Sequence, residues 1–139
     1  MWTIRTDGAD RRSVPAPIRV RTDSGVVLCA RCVVADTPLR RLRGLLGRRG
    51  LAPGEGLLLR PASSIHTCGM RFAIDAVFLD GEDRVLRVVK DVRPWRLASC
   101  RGARSVLELP AGTCEAHALR PESRVGPAER RLAIGHTST

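Results

Sequence analysis

Between Ser64 and Asp80 the chain reads SIHTCGMRFAIDAVFLD, which sets an imidazole, a thiol, a guanidinium and a carboxylate into an otherwise apolar run. On a strand, Phe72, Ile74, Ala76 and Phe78 share one face, while Ala73, Asp75, Val77 and Leu79 share the other. Both faces are apolar, so this strand is expected to be central and covered on two sides. Asp75 then lies on a buried face, where a carboxylate requires backbone N–H donors or a cation such as Arg71, His66 or an arginine of a neighbouring strand. Two roles fit: an anchor that sets strand register or a turn, and the general base or orienting group of a pocket.

The other candidate groups are weaker alone. His66 and Cys68 are two apart and face the same way on a strand, with Cβ atoms roughly 6–7 Å from each other. That is too far for a direct Cys–His nucleophile pair unless Gly69 kinks the chain. Ser63 and Ser64 add hydroxyls, but no G-x-S-x-G elbow accompanies them. Glu108 lies between Leu107 and Leu109 and shares a face with Arg104 and Val106. It pairs with arginine on a solvated face, or it lines a cleft beside Asp75. Arg43 and Arg71 can bind an anionic group, although arginine stems often only cover apolar surface. Trp95, flanked by Arg93 and Arg96, reads as a partner hot spot in a long loop or as a lid over the core. No P-loop, G-x-G-x-x-G or H-E-x-x-H occurs, which removes the common nucleotide and metalloprotease classes.

Cys29-Ala-Arg-Cys32 has C-x-x-C spacing but sits in GVVLCARCVVAD, which reads as extended strand. Residues i and i+3 of a strand point to opposite faces, so the sulfurs share a metal only if a bulge intervenes. A second ligand pair of recognised spacing is missing too. Five cysteines, an odd number, do not suggest a disulfide framework. Neither a metal nor a cofactor is expected; the cysteines fill the core.

These residues need elements to hold them. IRVRT and VVLCARCVVA flank Asp23-Ser24-Gly25, a hairpin turn. Thr37 and Pro38 suit the N-cap and first position of a helix. Leu39, Leu42, Leu45 and Leu46 follow as one buried stripe, and Gly47 ends the helix. Leu57 to Leu59, Ser64 to Thr67 and Phe72 to Leu79 read as strands. VLRVVKDV returns antiparallel after the turn at Asp80-Gly81-Glu82-Asp83. Residues 93–102 form a longer connection, SVLEL is another strand, Thr113 caps a short helix, and a last strand lies near Val125. Many short strands and two modest helices, without strand–helix alternation, give an α+β, mainly β fold: a curved antiparallel sheet or partly open barrel with meander connections. Residues 1–17 form a loose N-terminal segment, 18–126 one domain, and 127–139 a tail.

The 139 residues carry a formal charge of +10, and 24 are basic, of which only Lys90 is lysine. Basic residues thicken at Arg40 to Arg49 and from Arg84 to Arg104. Aromatics are 3% and tyrosine is missing, a poor supply for base stacking, so nucleic acid is not the expected partner. Apolar runs are too short to cross a membrane, and the first residues lack the apolar core of a signal peptide, so a cytoplasmic location is expected.

RLRGLLGR from Arg41, EGLLL from Glu55, SIHTCGMRFAIDAVFLD from Ser64 and VLELPAGT from Val106 occur in that order. In this the chain resembles the bacterial and archaeal family known as domain of unknown function 192, over roughly residues 18–126. The resemblance implies a compact, mainly β fold with a short helix in the N-terminal third. The family has no established activity, so it assigns no catalytic residue. His66-Thr67-Cys68-Gly69-Met70-Arg71 departs from the commoner pattern, in which Trp or Phe, Met, Lys and Asn precede the Ile-x-x-Asp segment. The residues themselves suggest a small binding domain with a pocket lined by His66, Arg71, Asp75, Glu108 and Arg43. Its expected ligand is a small anionic molecule or a peptide carboxylate. The alternative is a non-enzymatic interaction module using Trp95, Arg93 and Arg96, and nucleic-acid binding comes third.

Overall fold

A computed structural model describes residues 16–37 and 45–127. In chain order the elements are β1 (Ile18–Thr22), β2 (Val27–Ala35), β3 (Glu55–Leu59), β4 (Ser64–His66), β5 (Ile74–Leu79), β6 (Val85–Val92), β7 (Leu97–Ser99), β8 (Ser105–Pro110), α1 (Thr113–Ala116) and β9 (Val125–Pro127). The expected hairpin joins β1 to β2. Thr22 N donates to Val26 O at 2.8 Å, and Gly25 takes the left-handed conformation (φ 95°) that the turn requires.

Seven strands form one curled sheet in the order β6–β5–β8–β3–β2–β1–β9, and β4 pairs with β7 in a separate ribbon. The fold is thus mainly β and barrel-like, as expected, but its connections are not a meander. β8 inserts between β5 and β3, and β3 runs parallel to β2. The two edges of the sheet approach each other: Val85 N donates to Ser123 O and Glu122 N to Val85 O, both at 2.7 Å, and Arg84 bridges Arg124. The closure is limited to that point, which leaves a half-barrel.

Two cores result from this curl. The enclosed face carries Val20, Leu28, Cys29, Cys32, Val77, Val85, Leu107, Leu109 and Val125. The other face of β3, β8 and β5 carries Leu57, Leu59, Ile74, Ala76, Phe78 and Val106, and Ile65, Met70 and Ala98 pack over it. Every residue of β5 is buried, which agrees with a central strand covered on both sides.

Several local expectations are corrected. The helix expected from Thr37 to Leu46 falls largely outside the described residues. Leu45 is buried there, but Leu46 is exposed and does not belong to a buried stripe. The cap before α1 is Gly112, with φ 97°, because the Thr113 hydroxyl turns back and donates to Pro110 O at 2.7 Å. Residues 97–99, assigned to the connection, form β7.

The C-x-x-C pair is joined by the bulge that its spacing required. Ile18 lies opposite Cys32 but Val20 lies opposite Cys29, so β2 spends an extra residue. Both sulfurs then enter the enclosed core, where Cys29 Sγ donates to Gly54 O at 3.5 Å. The neighbouring Cys29, with burial, pushes the Cys32 thiol far above the ordinary thiol range. Among the described residues, no group of three or more His, Cys, Asp or Glu is placed to hold a metal.

Candidate functional site

Asp75 is fully buried, and three backbone N–H groups surround its carboxylate. Oδ1 accepts from Asp91 N at 2.9 Å; Oδ2 accepts from Gly112 N at 3.1 Å and Cys114 N at 2.9 Å. The cause is local. Ile74 pairs with Val92 but Ala76 pairs with Val89, so β6 bulges opposite Asp75 and Asp91 turns left-handed at φ 54°. That bulge orphans one donor and the start of α1 orphans two, and a buried carboxylate satisfies all three. Burial, with the Asp75 carboxylate beside it, pushes the Cys114 thiol up to about 12. Asp75 is an anchor, tying β5 to β6 and to the turn after β8.

Glu108 is placed differently from either expectation. Ala76 pairs with Glu108 whereas Asp75 pairs with Leu109, so the two carboxylates lie on opposite faces of the sheet. No cleft can be shared between them. The solvated Glu–Arg pair is not formed either: β8 is sandwiched between β3 and β5, and Glu108 is only 4% exposed. Desolvation pushes its carboxyl up to about 7. His66 is exposed on β4 opposite Leu97, and Arg71 is exposed in the link to β5. Neither forms a hydrogen bond or ion pair with Asp75, whose partners are backbone N–H groups, and Arg43 lies outside the described residues. The expected pocket residues are therefore dispersed.

The Trp95 loop, in contrast, is built with care. Thr67 is fully buried, and its hydroxyl donates to Arg93 O at 2.6 Å and accepts from Arg96 N at 2.8 Å. Its backbone N–H donates to Arg96 O, and its carbonyl accepts from Trp95 N at 3.0 Å. This clamp holds Trp95 at φ 65°, a conformation that a bulky side chain seldom adopts. Yet Trp95 is 68% exposed and Leu97, two residues on, is 80% exposed. Leu97 also lines an open groove of about 400 Å³ between the β4–β7 ribbon and β6, with Ile65, Val89, Ala98 and Arg87 along it. Thr67, Arg87 and Leu97 were missed by the sequence reading. Leu97 alone carried a signal, as an aliphatic residue beside Arg96 in a stretch read as loop.

A mainly β half-barrel with a β-ribbon packed on its outer face is the class to which these observations lead. The chain belongs to the domain of unknown function 192 family, whose model, described as "Uncharacterized ACR", matches residues 19–126. No functionally curated protein matches it. Two crystal structures share the fold. One, from Sinorhizobium meliloti 1021 and described as a "putative transcription regulator", is 24% identical with a TM-score of 0.71, covering 81% of this chain and 93% of its own. The other, a protein of unknown function from Novosphingobium aromaticivorans DSM 12444, is 23% identical with a TM-score of 0.69, covering 79% of this chain and 83% of its own. At these identities the likeness establishes the fold alone. Among the described residues, no helix is long and apolar enough to cross a membrane.

Proposed function

We propose that this domain is a binding module that presents the Trp95–Leu97 rim to a partner protein. The observation that carries this reading is the exposure of Trp95 in a left-handed backbone held by the buried Thr67. Backbone strain of roughly 1–3 kcal/mol at one residue persists only where the surroundings impose it, and such residues cluster at functional sites. A core residue would repay that strain by burial, which a mostly exposed indole does not. Tryptophan and arginine are also the side chains most often found at the energetic centre of interfaces, and Arg93 and Arg96 flank Trp95. The small-anion pocket at His66, Arg71, Asp75, Glu108 and Arg43 has less support, since Asp75 and Glu108 face opposite ways and Asp75 is taken up by backbone donors.

Replacing Leu97 with a photo-crosslinking amino acid in the source cell tests the rim. The expected result is one dominant crosslinked protein, lost when Trp95→Gly is added and not obtained from Ala116, an exposed position on α1. An identical crosslinking pattern from both positions would overturn the proposal.

A further inference from the structure

The groove beside the rim has a composition that selects a chemistry. Ile65, Val89, Leu97 and Ala98 give it an apolar lining, and Arg87 closes one side. Its volume of about 400 Å³ lies within the range of roughly 300–1,000 Å³ that small-ligand clefts occupy, so it admits one or two large side chains. Arg87 spends one N–H on Ser99 O at 2.6 Å. A guanidinium has five such donors, so most of its hydrogen-bonding capacity remains. Arg96 meets only the carbonyl of Trp95, at 3.3 Å, and neither arginine has a carboxylate partner among the described residues.

The surrounding charge has the same sign. From Arg84 to Arg104 there are seven basic residues and one acidic residue, Asp91, in a chain that mixes 24 basic with 14 acidic over its whole length. Asp91 lies 3.8 Å from Arg93, and Glu115 pairs with Lys90, so the few local acids are already engaged on the β6 side. Arg87 lines the groove together with Leu97, and Arg96 precedes Leu97 in the chain; Leu97 is the most exposed large hydrophobic residue described.

We propose that the rim and groove recognise an acidic, apolar peptide segment of a partner protein. A large aliphatic or aromatic side chain enters the groove against Ile65, Val89 and Leu97, and flanking carboxylates pair with Arg87 and Arg96. This inference rests on the reading that the Trp95–Leu97 rim is the docking face, and adds the chemistry of what docks there. Aspartate or glutamate supplies the planar two-oxygen acceptor that a guanidinium fork matches. The apolar lining excludes a purely electrostatic partner. A duplex phosphate backbone would satisfy the arginines and leave Leu97 and the groove in water. β-Strand addition to the edge of β6 is not the mode, since β6 bulges at two places and carries Arg87 and Lys90, devices that blunt an edge.

The test uses the full chain carrying Trp2→Phe, which leaves Trp95 the single tryptophan reporter. The probes are acetylated, amidated Glu-Glu-Leu-Phe-Glu-Glu, the same peptide with Ser-Ser at its centre, and the same peptide with lysine for glutamate. Phosphatidylglycerol vesicles and a random-sequence DNA duplex complete the set. The expected result is a saturable change in Trp95 fluorescence with the first peptide. It should be at least about tenfold tighter than with either control peptide, and weakened about tenfold by Leu97→Ser or Arg87→Gln and by added salt. Both positions are exposed, so these variants should retain the parent circular-dichroism spectrum. Equal binding of the serine peptide, tighter binding of vesicles or duplex, or no response would overturn the acidic-apolar chemistry. If the crosslink from position 97 survives such a failure, the docking face stands without this partner; if the crosslink fails too, both are overturned.

Discussion

At the scale of single residues, two carboxylates on neighbouring strands have opposite physics. Asp75 accepts from three backbone N–H groups, and its value lies in accepting only. In Asp75→Asn, one of the three donors must face an amide N–H₂, so a buried donor loses its acceptor. A destabilisation of about 2–4 kcal/mol is expected in urea unfolding, and a loss below about 1 kcal/mol would remove the anchor role. Glu108 is penalised instead. Its folded carboxyl titrates at about 7, against an ordinary value of 4.5 for the exposed group. A raised acid pKa means that stability from the neutral form is complete below 4.5 and is lost as pH rises to about 7, after which it stays flat. The difference corresponds to about 3 kcal/mol. Urea midpoints measured from pH 5 to 8 should fall for the parent and stay nearly level for Glu108→Gln; parallel profiles would refute this. Trp95→Gly tests the third residue. Glycine relieves the left-handed backbone and little buried indole is lost, so stability should remain within about 1 kcal/mol of the parent. A much larger loss would make Trp95 a structural residue.

At the scale of elements, β2 and β3 show how a backbone detail decides packing. The bulge in β2 brings Cys29 inward against Gly56 of β3, where an added Cβ would lie 2.7 Å from the Cys29 sulfur and 3.0 Å from Glu108 O. Gly56→Ala should therefore cost about 1–3 kcal/mol, and adding Cys29→Ala should recover part of it. Strictly additive losses in thermal or urea unfolding would show that the sulfur is not the obstruction. Elements of this kind also mark what was legible in sequence. β5 was readable because apolar residues fill both faces, and the β1–β2 hairpin because Asp-Ser-Gly gives a turn. β7 was not, because Leu-Ala-Ser lacks β-branched residues and lies among arginines and a proline. The burial of Glu108 was hidden for a different reason. Leu107 and Leu109 imply a face, but only the packing of Ile65, Met70 and Ala98 over the other side of the sheet determines that the opposite face is covered as well. Trp95 was readable as a loop aromatic between arginines, whereas its clamp by Thr67, far away in sequence, was not.

At the scale of the whole molecule, a charge of +10 is carried by a chain that closes its half-barrel at one short contact between Arg84 and Arg124. Like charges repel in the compact state, so salt should stabilise it. Thermal midpoints at pH 8 are expected to rise between about 10 and 200 mM sodium chloride, where screening shortens from tens of ångströms to under 10 Å. A fall would mean that ion pairs such as Lys90–Glu115 outweigh the repulsion. The topology has a consequence for the chain before it folds. The donors that meet the Asp75 carboxylate come from positions 91, 112 and 114, so its partners arrive only when distant pieces have assembled. Until then IDAVFL is a greasy, pleat-prone hexapeptide interrupted by one hydrated anion, the kind of gatekeeper that discourages neighbouring nascent chains from sticking together. The same side chain would guard solubility early and hold architecture later, and a valine there would forfeit both.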